Sequence, residues 1–172
     1  MLDRLRSLVR DIPDYPAEGI VFRDITPLLR DPAGLSLAVE LMVNPYRDMK
    51  IDLVVGAESR GFIFGTALAR ALNAGFVPIR KKGKLPGDTV SQEYDLEYGH
   101  DTLEIHVDAI HPGQQVLMVD DLIATGGTLE AGVKLIEKFG GELVGITVLI
   151  ELQGLDGAKR VAPHPVHAVL RY

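Results

Sequence analysis

The chain has 172 residues, 47% of them hydrophobic and 24% charged, with a formal net charge of -6 at pH 7. That length suits one domain with a buried core, and the acidic balance argues against a nucleic-acid polymer as main partner, which needs a basic face. The lack of cysteine excludes disulfides and thiolate metal sites, and no apolar stretch approaches the roughly 18 residues of a membrane span, so a cytoplasmic protein without membrane or nucleic-acid partners is expected.

Residues 1–11 place Leu2, Leu5, Val9 and, just beyond, Ile12 at helical spacing, with Asp3 and Asp11 among the arginines. This predicts a packed amphipathic helix and fits neither a secretory signal nor an acid-poor transit peptide. Residues 12–27 are dense in Pro and Gly and predict an irregular arm with one short extended piece. A helix is expected over 32–42, with Asp31 as cap and Pro32 in its first position. Strand 51–56, helix 62–72 and strand 75–79 follow. A basic loop occupies 80–87, and the alternating stretches of 89–106 predict a hairpin above the sheet's ligand edge, acting as a movable flap. Strand 116–119 leads to a helix over 128–139, with Leu129, Val133 and Ile136 on one face and Gly140-Gly141 as its stop. An apolar strand over 143–150 completes the alternation. The order predicts an α/β fold with a mostly parallel central sheet and helices on both faces.

The most informative stretch is 116–128, Val-Leu-Met-Val-Asp-Asp-Leu-Ile-Ala-Thr-Gly-Gly-Thr. Four apolar residues have the length and bounding of a strand covered on both faces, and the C-terminal end of such a strand is where open α/β sheets bind ligands. Ala124, Thr125, Gly126, Gly127 and Thr128 are small enough for backbone amides to close on an anion at the start of a helix. Asp120 and Asp121 would repel a phosphate but accept hydrogen bonds from vicinal hydroxyls. A ribose on the two acids with its 5-phosphate on the Thr/Gly turn reconciles both preferences; the plain alternative is a capped helix after a buried strand. No G-x-G-x-x-G follows a strand, and residues 127–134 lack the Lys and Ser/Thr of a P-loop.

A second strand, turn and helix start occurs over 56–62, Gly-Ala-Glu-Ser-Arg-Gly-Phe. Ser59 and the guanidinium of Arg60 at a helix start suit a pyrophosphate, although an arginine in a βα loop can simply be solvated. Arg80, Lys81, Lys82 and Lys84 are by themselves a solvated charge run. Beside a pyrophosphate site they would attract an anionic substrate and stabilise a leaving group. His164 and His167, with no third ligand in view, are weak evidence for metal; no protein metal site is expected.

The nine residues 120–128 resemble the phosphoribosyl pyrophosphate (PRPP) motif of the type I phosphoribosyltransferases. With the other segments the resemblance covers nearly the whole chain, 1–172 as a single domain, and is strongest to the adenine phosphoribosyltransferases. It implies that Asp120, Asp121, Ala124, Thr125, Gly126, Gly127 and Thr128 bind the ribose phosphate of PRPP or AMP. It implies that Ser59, Arg60, Arg80, Lys81 and Lys84 bind pyrophosphate, and that the turn before Arg60 can hold a cis Glu58–Ser59 bond. Residues 81–106 would form a flexible catalytic loop, in which Glu97 of Leu96-Glu97-Tyr98-Gly99 closes over the base at its N7 edge, donating if protonated or accepting if ionised. Val21, Phe22 and Arg23, in an N-terminal hood over 1–30, would read adenine, and Leu152 would close the base's other face unless it only packs the core. The implied reaction is adenine plus PRPP giving AMP and pyrophosphate, with Mg²⁺ held mainly by the substrate and a homodimer as the assembly. The alternatives are a sister enzyme acting on hypoxanthine, guanine or xanthine, and a PRPP-sensing DNA-binding regulator, which should carry a basic face and an added DNA-binding segment.

Overall fold

A computed structural model describes residues 1–96 and 99–172. It divides into two compact units, residues 1–41 and 42–172. In the first unit, α1 (Leu2–Ser7) is shorter than its periodicity suggests, because residues 10–13 are taken by a ladder. Strand β1 (Arg10–Pro13) pairs antiparallel with β2 (Val21–Asp24), Arg10 opposite Asp24 and Ile12 opposite Phe22. A short helix, α2 (Thr26–Arg30), precedes α3 (Pro32–Val43). The carboxylate of Asp31 accepts the Gly34 amide at 2.7 Å, the capping role expected of it.

Buried Asp24 organises this unit. One carboxylate oxygen accepts the Thr26 amide at 2.9 Å, and the other accepts the Thr26 hydroxyl at 2.9 Å and Arg10 Nε and Nη2 at 2.9 and 2.6 Å. The Thr26 amide and then Arg10 hold its carboxyl below the ordinary aspartate range against the opposing effect of burial. A pKa lowered by folding adds stability above the unfolded-state value, and that contribution is lost as pH falls through the folded-state value. Asp24→Ala should therefore cost about 1–2 kcal/mol near neutral pH. In urea titrations the gap between the two proteins should close below the ordinary aspartate range; a constant gap would assign the loss to packing alone.

The second unit contains, in chain order, β3 (Leu53–Ala57), α4 (Arg60–Ala71), β4 (Gly75–Lys81), β5 (Thr89–Asp95), β6 (His100–His106), β7 (Gln115–Ile123), α5 (Gly127–Lys138), β8 (Glu142–Glu151), α6 (Gly157–Arg160) and β9 (Val166–Arg171). The strands form one sheet in the order β5-β6-β4-β3-β7-β8-β9. Strands β4, β3, β7, β8 and β9 are mutually parallel. The expected hairpin is present, and it joins the sheet directly, with Arg80 and Lys81 of β4 opposite Glu104 and Leu103 of β6.

Helices cover both faces, as the alternation predicted. Phe76 and Ile79, three apart in β4, point to opposite sides. A Cβ on Gly65 of α4 would lie 2.4 Å from the Phe76 ring, and one on Gly132 of α5 would lie 2.1 Å from Met118 Cε and 3.5 Å from Ile79. Val55, Ile79, Met118 and Ile146 pack with Leu129, Leu135 and Ile136 of α5 in the main core. Strand β7 exceeds the predicted 116–119 because its alternation continues past the apolar run: Asp121 and Ile123 are buried while Asp120 and Leu122 are partly exposed. Leu122 and Ile123 still pair with Ile150 and Glu151 of β8, so the two acids sit on a braced strand.

Candidate active site

The C-terminal ends of parallel β3, β4 and β7 open on a cavity of about 420 Å³. Ser59, Arg60 and Lys81 line it together with Asp120, Asp121 and the 124–128 loop, so ten of the residues singled out in the sequence meet in one place. Arg80 and Lys84 are not among its lining residues.

The loop has the form its small residues suggested. Gly126 takes φ +83, a left-handed conformation that favours glycine, and a Cβ there would stand 2.6 Å from the Gly157 carbonyl oxygen. Helix α5 begins at Gly127, leaving its first amides without intrahelical acceptors, an arrangement that suits an anion. Thr125 and Thr128 line the same space.

The acid pair is asymmetric. Asp121 is buried, and its Oδ2 accepts Arg60 Nε at 2.5 Å. Asp120 accepts the Asp121 amide at 2.8 Å. Burial, and then the neighbouring Asp121 charge, push the Asp120 carboxyl well above the ordinary aspartate range, while Arg60 pulls the other way. Gly61 lets the start of α4 come this close, since a Cβ there would be 3.1 Å from Asp120 Oδ1.

At the turn before α4 the Glu58–Ser59 peptide bond is cis, at the bond the resemblance implied. Glu58 Oε1 accepts the Lys81 amide at 2.8 Å and Arg80 Nε at 3.2 Å, fastening the basic stretch to this turn. Lys81 Nζ pairs with Asp101 at 3.0 Å. Burial works against the Asp101 charge, but the Lys81 hydrogen bond and its partners leave that carboxyl below its ordinary range; Asp101 in turn raises the Lys81 ammonium. Farther along the loop, the Gly83 amide donates to buried Glu104 at 3.0 Å.

The remaining predicted residues are not among the described lining of this cavity. Val21, Phe22 and Arg23 lie in β2 of the first unit, where the Arg23 guanidinium pairs with Asp11 and Phe22 meets Tyr15 edge to face, ring centroids 5.3 Å apart. Leu152 follows β8, its amide donating to Ile123 O at 3.0 Å. Glu97 lies outside the described residues, next to Leu96, which lines the cavity. The carboxylate role of Glu58, and Gly61, Tyr94 and Asp101 as a whole, carry no mark in the sequence. The cross-strand register that sets Tyr94 opposite Asp101 could have marked that pair, but it requires the hairpin to be aligned first.

This geometry can be compared with known proteins. A profile of the phosphoribosyl transferase domain matches residues 24–167. The adenine phosphoribosyltransferase of Rhodopirellula baltica is 62% identical over 168 residues, covering 98% of this chain and 82% of that protein. The chain belongs to the phosphoribosyltransferase family, among the adenine phosphoribosyltransferases. The crystal structure of the family member from Rhodothermus marinus superposes with a TM-score of 0.95 at 55% identity, covering 99% of this chain and 98% of that one. The adenine phosphoribosyltransferase of Saccharomyces cerevisiae, solved with an imino-altritol bisphosphate and adenine, superposes with a TM-score of 0.93 at 39% identity over 98% of each chain. The parallel sheet with its antiparallel hairpin edge is thus the fold of adenine phosphoribosyltransferases across bacterial and yeast relatives.

Proposed function

We propose that the chain transfers the 5-phosphoribosyl group of PRPP to N9 of adenine, forming AMP and pyrophosphate in purine salvage. The observation that carries this reading is a single cavity lined by an acid pair, a Thr/Gly loop at a helix start and a turn bearing Arg60. The 5-phosphate takes the amides and hydroxyls of Ala124, Thr125, Gly126, Gly127 and Thr128, and the ribose diol donates to Asp120 and Asp121. Pyrophosphate takes Ser59 and Arg60, with Arg80, Lys81 and Lys84 supplied from the end of β4 and its loop. As the bond from C1 to the pyrophosphate oxygen breaks, the electron pair leaves with pyrophosphate, positive charge grows on the ribose, and the N9 lone pair of adenine closes on C1 while the imidazole-ring proton of neutral adenine passes to solvent. The carboxylates favour that charge and the cations favour the leaving group. Little covalent chemistry is required of the protein, and holding the two substrates together can contribute about 7–11 kcal/mol.

Val21, Phe22 and Arg23 read adenine, Leu152 closes one face of the base, and Glu97 acts at the N7 edge, donating if protonated and accepting if ionised. Residues 81–106 move as the catalytic loop. Mg²⁺ would be held mainly by oxygens of PRPP and pyrophosphate, keeping several waters; Asp120 and Asp121 are given to the ribose diol, and among the described residues no cluster of three or more His, Asp or Glu stands ready to hold a metal ion. When bound, Mg²⁺ neutralises charge on the leaving pyrophosphate. The same reading takes the enzyme as a cytoplasmic homodimer on family resemblance; among the described residues no helix is long and apolar enough to cross a membrane.

Incubation with labelled adenine, PRPP and Mg²⁺ should yield labelled AMP, undiminished by excess hypoxanthine or guanine. No AMP, or suppression by those bases, would overturn the assignment. Arg60→Gln should weaken inhibition by pyrophosphate by roughly 10-fold or more, the loss of one charge-assisted contact. An unaltered inhibition constant would remove Arg60 from the pyrophosphate site.

A further inference from the structure

Behind the 124–128 loop the chain makes an unusually close backbone approach. A Cβ on Gly157, the first residue of α6, would lie 2.3 Å from the Ala124 carbonyl oxygen and 2.8 Å from Ile123 Cγ1. The clash runs in the other direction as well, from Gly126 onto the Gly157 carbonyl at 2.6 Å. Helix α6 is therefore the back wall of the loop. With four residues it cannot hold itself there through helical hydrogen bonding.

Its firmest side-chain tie is Arg160. Arg160 Nε donates to Glu130 Oε2 at 2.6 Å, and Glu130 Oε1 accepts Lys134 Nζ at 3.1 Å on the same face of α5. Both Arg160 and Glu130 are mostly shielded, with side chains 32% and 26% exposed. Burial opposes the Glu130 charge, but Arg160 and Lys134 outweigh it and lower that carboxyl's pKa. Arg160 also reaches the loop itself: a Cβ on Gly127 would be 3.3 Å from its Nη1.

We infer that Arg160 is a positioning residue for the 5-phosphate of the substrate. By clamping α6 to Glu130 of α5 it fixes Gly157 against Ala124 and Gly126, and so sets the shape of the amide cradle without itself touching the reacting atoms. The inference rests on the proposed role of that loop. It predicts an effect confined to the ligand that carries the phosphate.

The test is steady-state kinetics on the full chain, with AMP affinity measured by calorimetry, for Arg160→Met, Arg160→Lys and Glu130→Gln. Arg160→Met should raise KM for PRPP and Kd for AMP roughly 5- to 10-fold, the loss of one partly buried charge-assisted bond. KM for adenine should stay within about twofold, Arg160→Lys should recover much of the loss, and adding Glu130→Gln to Arg160→Met should cost little more because the partners act as a unit. A lowered Tm with unchanged KM for PRPP would reduce Arg160 to a stabilising role and overturn the inference. A fall in affinity for PRPP and adenine alike would also overturn it. Failure of the unsubstituted enzyme to use PRPP would instead bring down the reading of the loop, which keeps the two failures distinct.

Discussion

Changing Asp120 and Asp121 together to Asn should weaken PRPP binding by roughly 30- to 150-fold, and should lower kcat beyond that. Asn keeps the volume and one acceptor oxygen at each position but removes the charge. A hydrogen bond to a charged group contributes about 1.5–3 kcal/mol against about 0.5–1.5 for a neutral one, so two ribose hydroxyls lose about 2–3 kcal/mol together. The further fall in kcat follows from the charge that develops on the sugar as pyrophosphate leaves, which a carboxylate stabilises more in the transition state than in the ground state. The two positions should not be equivalent. Asp121 is the partner of Arg60 at 2.5 Å, so Asp121→Asn also loosens the guanidinium, whereas Asp120→Asn relieves a half-buried carboxyl that burial and the Asp121 charge push above the ordinary aspartate range. Calorimetric affinity for PRPP that does not change in the double variant would refute the ribose assignment.

Gly126→Ala should be nearly as damaging although it adds one methyl group. Left-handed backbone costs a non-glycine residue about 1–2 kcal/mol, and at φ +83 the new Cβ would meet the Gly157 carbonyl at 2.6 Å. Both contact partners are backbone, so no side chain can swing away. The loop must shift, and displacing binding groups by about 1 Å can cost on the order of 10²-fold. The expected result is a rise in KM for PRPP of that order with secondary structure and cooperative unfolding preserved, read by circular dichroism and a thermal melt. Wild-type kinetics in Gly126→Ala would mean that the loop tolerates rearrangement and is not a rigid cradle.

Gly126 also shows what could be read from the amino-acid order alone. Its place in a run of small residues between an apolar strand and a helical pattern is a local signal, as are the adjacent acids and the Gly/Ser/Arg turn at 56–62, and the structure gathers these groups in one cavity. The close contact with Gly157 is not local. It depends on a four-residue helix 31 positions later, too short to leave a periodic pattern. The end of β7 was misjudged for a related reason: two carboxylates look like the end of a strand, and only pairing with β8 shows the ladder running on through Leu122 and Ile123. The N-terminal helix failed in the opposite sense, since Val9 and Ile12 fit a helical face but residues 10–13 are claimed by β2. Sequence gives Glu58 no role beyond the implied cis bond, yet its carboxylate receives both Arg80 and the Lys81 amide.

A crystal structure of the enzyme with AMP and pyrophosphate would put the ribose and phosphate assignments to the test together. The ribose hydroxyls should lie within hydrogen-bonding distance of Asp120 and Asp121, with the 5-phosphate on the amides of residues 124–128 and pyrophosphate beside Ser59 and Arg60. A nucleotide whose phosphate sits anywhere else, with the acid pair facing solvent, would contradict the division of labour derived for this cavity.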